Sequence, residues 1–370
     1  MKTDIRDIEE KIIEGKRLTK EDGLSLMNSD NLIEIGRIAN ILKERKSGRY
    51  AFFNVNRHIN LTNICVSRCK FCAFSRDKDD PDAYTMSIED AVNAALSARH
   101  LGITELHIVS GLHPDLPFDY YVEVIARLKE AIPEAHIQAF TAVEIFYFSK
   151  ISKLPIKDVL MRLKDAGLGS LPGGGAEIFN HRVREAVCPN KASADEWLSV
   201  MRVAHEIGLK SNATMLYGHV ETIEDRIDHL LKLRELQDET GGFQSFIPLP
   251  FHPKNTKLNQ FKKPTAYENL KMLAVSRLIL DNFPHIKAFW IMLGLKVAQL
   301  SLLFGVDDLD GTVVEEKITH SAGAETDQSI SKEELINLIS ETGMIPVERD
   351  TLYNTIKIYN KPYVRSRDEA

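Results

Sequence analysis

The segment Asn63-Ile64-Cys65-Val66-Ser67-Arg68-Cys69-Lys70-Phe71-Cys72 decides how the rest of this chain reads. It holds three of the four cysteines in 370 residues, spaced C-x3-C-x2-C, with an aromatic side chain just before the last. Three thiolates this close can hold three irons of a [4Fe-4S] cube and leave the fourth iron open to a small molecule. Other readings stay open at this level. A zinc site usually pairs C-x2-C with a second pair or with histidines further on, and no matching partner follows. A closed electron-transfer cluster needs a fourth thiolate, and Cys188, in Val187-Cys188-Pro189, is the one remaining candidate, far downstream. Cys188 reads more simply as a small buried residue. So few cysteines disfavour a disulfide framework.

Composition bounds the answer from outside the motif. The chain is 44% hydrophobic and 27% charged, which is ordinary globular usage. Its length suits one barrel of roughly 250 residues with extra segments, or two smaller domains. A net charge of −6 argues against a broad nucleic-acid-binding face. Residues Met1 to Asp7 are charged and lack the apolar core of a signal peptide. The most apolar late stretch, Ile291 to Phe304, is interrupted by Lys296 and is too short to span a bilayer. The expectation is a soluble, cytoplasmic protein without membrane or nucleic-acid partners.

Outward from the cysteines, the pattern alternates. Residues 4 to 46 read as short helices, from Ile5, Ile8, Ile12 and Ile13 and from Leu32, Ile35, Ile38 and Leu42 at helical spacing. Seven apolar runs then read as strands: 58–64, 105–109, 136–140, 168–171, 210–215, 243–247 and 286–289, with a weak eighth at 306–308. Helical periods separate them at 87–101, 119–131, 156–166, 193–207, 222–239, 267–282 and 294–304. Ser87 with Asp90 is a capping-box signal. Regular β-then-α alternation implies parallel strands with crossover helices. The fold expected is α/β, a (βα)8 TIM-type barrel. A helical lead-in at 1–50 precedes a barrel at 51–308, and a C-terminal extension at 309–370 packs on it. Tyr50, Phe52 and Phe53 read as core packing.

Active sites of such barrels sit in the loops at the strands' C-terminal ends. The unusual residues fall there. Ser110-Gly111 follow the second strand and Thr141 and Glu144 the third. Pro172-Gly173-Gly174-Gly175-Ala176-Glu177 follow the fourth; three glycines before a carboxylate suggest a backbone cradle with a polar anchor. It is no P-loop, because no Gly-Lys-Ser/Thr follows. Arg184 could fork onto a carboxylate, with Arg182 as alternate, or either could be a solvated surface charge. His113, His219 and His252 each follow a strand, and Arg76 follows the cysteine loop; all four are candidates for carboxylate binding or proton handling.

The cysteine spacing and these loops resemble the radical S-adenosylmethionine (SAM) superfamily. In that family the open iron chelates the amino and carboxylate groups of SAM. Five stretches are similar to the aminofutalosine synthase family within it: 172–178, 213–222, 248–253, 290–294 and 305–312. Phe251-His252-Pro253 stands where the related cyclic dehypoxanthine futalosine synthases tend to carry a tryptophan-containing sequence. The deazaflavin-cofactor synthases share the cluster and glycine motifs. The resemblance implies one [4Fe-4S] cluster on Cys65, Cys69 and Cys72. It implies SAM as co-substrate, held near Phe71, Ser110, Gly111, Glu144, Gly174, Glu177 and Arg184. It implies adenosyl transfer to 3-[(1-carboxyvinyl)oxy]benzoate, with aryl migration and carboxyl loss, giving 6-amino-6-deoxyfutalosine in menaquinone biosynthesis. An electron donor such as flavodoxin or ferredoxin is implied as partner. His219, His252, His113 and Arg76 are expected to serve the substrate's carboxylates.

Overall fold

Eleven short strands carry the fold in the computed structural model, which describes residues 4–360. Residues 1–3 and 361–370, the outer ends of the two expected terminal segments, lie outside the described residues. The first strand, β1 (Tyr50–Asn54), belongs to a second sheet. The next seven lie side by side in chain order, every neighbouring pair parallel: β2 (Asn56–Ile59), β3 (Glu105–Ile108), β4 (His136–Ala139), β5 (Ser170–Leu171), β6 (Lys210–Tyr217), β7 (Phe243–Pro250) and β8 (His285–Ile286). Crossover helices form where periodicity and caps coincide. Ile88–Ala98 starts on a Ser87–Asp90 capping box, and Ile156–Ala166 ends on Gly167 in the left-handed conformation.

The eighth strand expected at 306–308 starts at Asp308 as β9 (Asp308–Gly311) and pairs with β1 instead of joining the arc. Its segment still spans the gap between the arc's ends. Asp307 N donates to Ile286 O (3.2 Å) and Ala288 N to Asp308 O (2.8 Å) on one side; His58 N donates to Val314 O (3.0 Å) on the other. Positive φ at Asp310 (67°) and Val313 (46°) interrupts the extended backbone, so the segment cannot run as a single eighth strand. The α/β barrel architecture with helical lead-in and C-terminal extension is otherwise as expected. The extension supplies β10 (Ile345–Arg349) and β11 (Thr355–Ile358), which complete a sheet in the order β11-β10-β1-β9. Phe53 on β1 is fully buried.

Several helices escaped the sequence reading, among them Ala142–Ser152, His181–Val187 and Lys332–Glu341. Ala142–Ser152 is aromatic-rich, and its apolar residues spread round the helix instead of along one stripe; its start is legible only as the Thr141–Glu144 capping box. His181–Val187 is too short to show a period.

A buried ion pair locks the arc's last strand to the bridging segment. Asp307 accepts from Arg277 Nη2 (2.7 Å), His285 Nδ1 (2.9 Å) and Ile286 N (2.9 Å), and both members of the pair are fully buried. Burial opposes the Asp307 charge, but Arg277 and His285 outweigh it and hold the carboxyl well below its usual range. Removing one partner leaves the other charge buried alone. Asp307→Ala is therefore expected to cost about 3–5 kcal/mol, read as a fall in the urea midpoint; an unchanged midpoint would show that the clamp contributes nothing.

Candidate active site

Inward-facing residues of the arc recur at i, i+2 along each strand, as the pleat requires. His58 and Asn60, His107 and Val109, Asn212, Thr214 and Leu216, Ile247 and Leu249, and Lys287 and Phe289 all line one cavity of about 340 Å³. The strands' C-terminal loops close its mouth, and Cys65, Cys69 and Cys72 are among its lining residues.

Backbone hydrogen bonds from several elements shape the cysteine loop. Cys65 N donates to Arg76 O (3.2 Å), Val66 N to Leu112 O (3.0 Å) and Lys70 N to Val187 O (2.8 Å). Two neighbouring loops approach so closely that only glycine fits. A Cβ on Gly111 would stand 2.3 Å from Ile64 O, and one on Gly173 would stand 2.7 Å from the Ala213 backbone. The glycine loop's own carbonyls are tied outward, Gly173 O to Thr214 Oγ1 (2.7 Å) and Gly174 O to Trp197 Nε1 (3.1 Å).

All four cysteines are free. Burial pushes the Cys72 thiol up; Cys69 is raised first by the neighbouring Cys188 thiol and then by burial. Cys188 is buried against Cys69 and does not line the cavity. Cys65, Cys69 and Cys72 are therefore the free thiols that line the cavity, and they are the residues that would hold an iron–sulfur cluster there. Binding iron would displace the thiol protons.

The other expected ligand-contacting residues divide into two groups. Phe71, Ser110, Gly111, Glu144, Gly174, Glu177 and His252 line the cavity with the cysteines. His113, His219, Arg76 and Arg184 do not. Arg184 donates to the carbonyls of Ala176 (2.6 Å) and Ala192, so the arginine expected beside a ligand carboxylate lies behind the glycine loop as its brace. Arg76 closes the cysteine loop, bonding the carbonyls of Ala73 (2.9 Å) and Ser75 (3.1 Å) and the carboxylate of Asp82 (2.8 Å). His219 is buried, and burial lowers its pKa; its ring bridges Leu216 O (3.1 Å) and Val220 N (2.8 Å). His113 Nδ1 accepts from Asp115 N (3.0 Å). Arg182, itself exposed, pairs with the buried Asp225 (2.7 Å). Each sits near a strand's end in sequence, but its polar atoms serve loop backbone or surface pairing.

Sequence reasoning missed the cavity's two lysines, because no motif marks either. Lys191 pairs with Glu177 (2.6 Å) and lies over the Phe71 ring, 5.3 Å from its centroid. Burial works against its charge, but Glu177 and the Cys69 and Cys188 thiols outweigh burial and raise its pKa. Lys287 pairs with Asp310 (2.8 Å) deeper in the arc. Near it His58 stacks on His107, centroids 4.6 Å apart, and its Nε2 has no hydrogen-bond partner. Burial, with His107 adding to it, lowers the His58 pKa to about 3, so the ring is neutral.

A parallel α/β arc with a three-thiolate loop and a glycine cradle at its C-terminal mouth defines a radical SAM enzyme. The family model for the radical SAM superfamily matches residues 59–233, and that for the CofH/MqnC C-terminal region matches 240–361. The chain is 47% identical to aminodeoxyfutalosine synthase of Streptomyces coelicolor, over 96% of this chain and 95% of that protein. It is 47% identical to that of Thermus thermophilus, over 96% of each. Identity to 5-amino-6-(D-ribitylamino)uracil–L-tyrosine 4-hydroxyphenyl transferase of Methanopyrus kandleri is 42%, over 88% of this chain and 90% of that one. Within the superfamily, the chain belongs to the aminodeoxyfutalosine synthase family. Methylornithine synthase shares the fold, with a TM-score of 0.73 at 18% identity over 92% of this chain and 97% of that one. So does the hydrogenase maturase HydG, at 0.72 and 19% over 94% and 76%. Among the described residues no helix is long and apolar enough to cross a membrane.

Glu144 gives a test of the mouth's construction. It accepts from Ser110 N (2.9 Å), Thr141 N (2.8 Å) and Thr141 Oγ1 (2.8 Å), so it joins two of the closing loops. Burial nevertheless pushes its carboxyl up from 4.5 to about 7. A group whose pKa rises on folding contributes stability that is full below its unfolded value and is lost as pH climbs through its folded one. Glu144→Gln in the iron-free protein is expected to flatten the fall in Tm between pH 4.5 and about 7. An identical profile in parent and variant would sink this account of Glu144.

Proposed function

We propose that the protein is an aminofutalosine synthase of menaquinone biosynthesis. It would join the adenosyl group of SAM to 3-[(1-carboxyvinyl)oxy]benzoate, with aryl migration and loss of the enolpyruvyl carboxyl carbon, and release 6-amino-6-deoxyfutalosine and methionine. The observation that carries this reading is the near-full-length 47% identity to two proteins of that name. The cavity's layering supports it. Cys65, Cys69 and Cys72 would hold the cluster, which supplies the electron that cleaves SAM. Lys191 stands beside the cysteines as a cation for the SAM carboxylate, in place of Arg184. Ser110, Gly111 and Gly174 let backbone approach SAM, while Glu144 and Glu177 offer acceptors for its ammonium and ribose. Val109, Leu249 and Phe289 would pack the arene and keep water from the reacting alkene. Beneath them, Lys287 and His58 would orient a substrate carboxylate, with Gln138 and Asn212 completing a polar floor. That floor takes the role first expected of His113, His219 and Arg76, while His252 stays in the wall. Its Nε2 is spent on Met292 O (2.9 Å), leaving Nδ1 for a ligand.

The cytoplasm is the compartment that suits an oxygen-sensitive cluster and thiols kept free. A second reading comes from the 42% relative: transfer of a tyrosine-derived hydroxyphenyl group to 5-amino-6-(D-ribitylamino)uracil.

Anaerobic turnover of the reconstituted enzyme with SAM, dithionite and each candidate substrate separates the readings by product mass. The expected product carries the adenosyl group of SAM. A hydroxyphenyl adduct of the uracil, or 5′-deoxyadenosine alone, would reject the synthase reading. Lys287→Met should raise the KM for the benzoate substrate tenfold or more, since a hydrogen bond to a charged group contributes roughly 1.5–3 kcal/mol. Its uncoupled SAM cleavage should stay at the parent rate. An unchanged KM would remove Lys287 from the carboxylate site.

A further inference from the structure

Residues 254–263, Lys254-Asn-Thr-Lys257-Leu-Asn-Gln-Phe-Lys262-Lys263, hold four lysines and no acid, in a chain whose net charge is −6. The stretch follows directly on Phe251 and His252, which line the cavity. It packs against the cysteine loop, with Lys257 N donating to Lys70 O (2.9 Å). It is also built to hold its shape. Leu258 is buried, Thr256 Oγ1 donates to Pro253 O (2.8 Å), and Asn255 Nδ2 donates to Ser321 O (3.1 Å). Lys70, Lys254, Lys257, Lys262 and Lys263 are all exposed.

The cations elsewhere on the cysteine loop's rim are each paired with a carboxylate. Arg68 pairs with Asp77, Arg76 with Asp82 (2.8 Å) and Lys78 with Asp115 (3.8 Å). On the lysine side the contact is a loose one, Lys254 to Glu325 at 4.0 Å. Among the described residues, Lys70, Lys257 and Lys262 have no carboxylate within pairing distance. Positive potential is therefore concentrated where chain backbone touches the loop that would carry the cluster.

We infer that Lys70 and the 254–263 loop form the docking surface for an acidic one-electron carrier protein. This rests on the reading that Cys65, Cys69 and Cys72 hold a reducible cluster. A net-acidic enzyme repels an acidic carrier overall, so a local basic patch both attracts and orients it. The carrier's reduced flavin loses one electron and the cluster gains it, with no bond made or broken between the proteins. Dithionite, a small anion, needs no such surface.

The test uses reconstituted enzyme and an acidic flavodoxin in its hydroquinone form. Lys254→Glu, Lys257→Glu and Lys262→Glu combined should weaken flavodoxin binding and slow flavodoxin-driven cluster bleaching about 10–100-fold at low ionic strength. Dithionite-driven bleaching and SAM cleavage should match the parent. The milder Lys257→Gln with Lys262→Gln should shift binding the same way, so a misfolded triple variant cannot decide the matter. In the parent, flavodoxin affinity should fall steeply as salt rises to physiological strength. Parent-like flavodoxin binding in both variants, or salt-insensitive binding in the parent, overturns the docking surface. Failure of the parent to cleave SAM with dithionite would instead overturn the cluster reading on which it rests.

Discussion

Backbone hydrogen bonding to the 65–72 loop is the constraint on which the site depends. Three thiols can serve one cluster only if their loop keeps one shape, and the loop is too short to shape itself. Val66, Lys70 and Cys65 donate to Leu112, Val187 and Arg76, which lie after β3, at the end of a helix beyond β5, and in the loop's own return. These bonds require the neighbouring loops to come within contact of the cysteine backbone. Gly111, packed on Ile64 O, makes that approach possible. Glu144 then carries the constraint one loop further, binding Ser110 and Thr141 together.

Charge in the cavity follows from the same geometry. Buried charges are paired or displaced. Arg184 donates to carbonyls of the loop it braces, and Arg76 to carbonyls of its own loop and to the Asp82 carboxylate. Burial lowers the His219 pKa, and its ring nitrogens are spent on backbone. The cations that line the cavity are Lys191 and Lys287, each held by one carboxylate, Glu177 or Asp310. A lysine with one partner keeps donors for a ligand, whereas an arginine wrapped by carbonyls does not. That difference redistributes the expected roles: the arginines hold loops, and the lysines face the cavity.

Chemistry and fold class were legible in the sequence for physical reasons. C-x3-C-x2-C is a local spacing, and metal-ligand spacing does not need tertiary context to be read. Capping boxes at Ser87 and Thr222 are local hydrogen-bond patterns, so helix starts fell within a residue of expectation. Parallel strands buried on both faces stood out as apolar runs. The helix at Ala142–Ser152 did not, because its apolar residues spread round the helix and carry no clear period. β1 and β10 did not, because their pairing joins residues at opposite ends of the chain.

The sequence by itself determined that three thiolates lie at the end of a strand, that strands and helices alternate, and that glycines follow the second and fourth strands. Each is a matter of near neighbours along the chain. Tertiary structure alone decided which side chains face the cavity. Strand ends present many polar residues, and only packing between loops assigns each to backbone, surface or ligand. It placed Cys188 behind Cys69, outside the cavity, and brought Lys191 and Lys287 into its wall. It also split the eighth strand, since Asp310 and Val313 turn the backbone where the barrel would have closed. The lysines of 254–263 are plain in the sequence, but their place against Lys70 is not, because one backbone hydrogen bond between distant loops sets it.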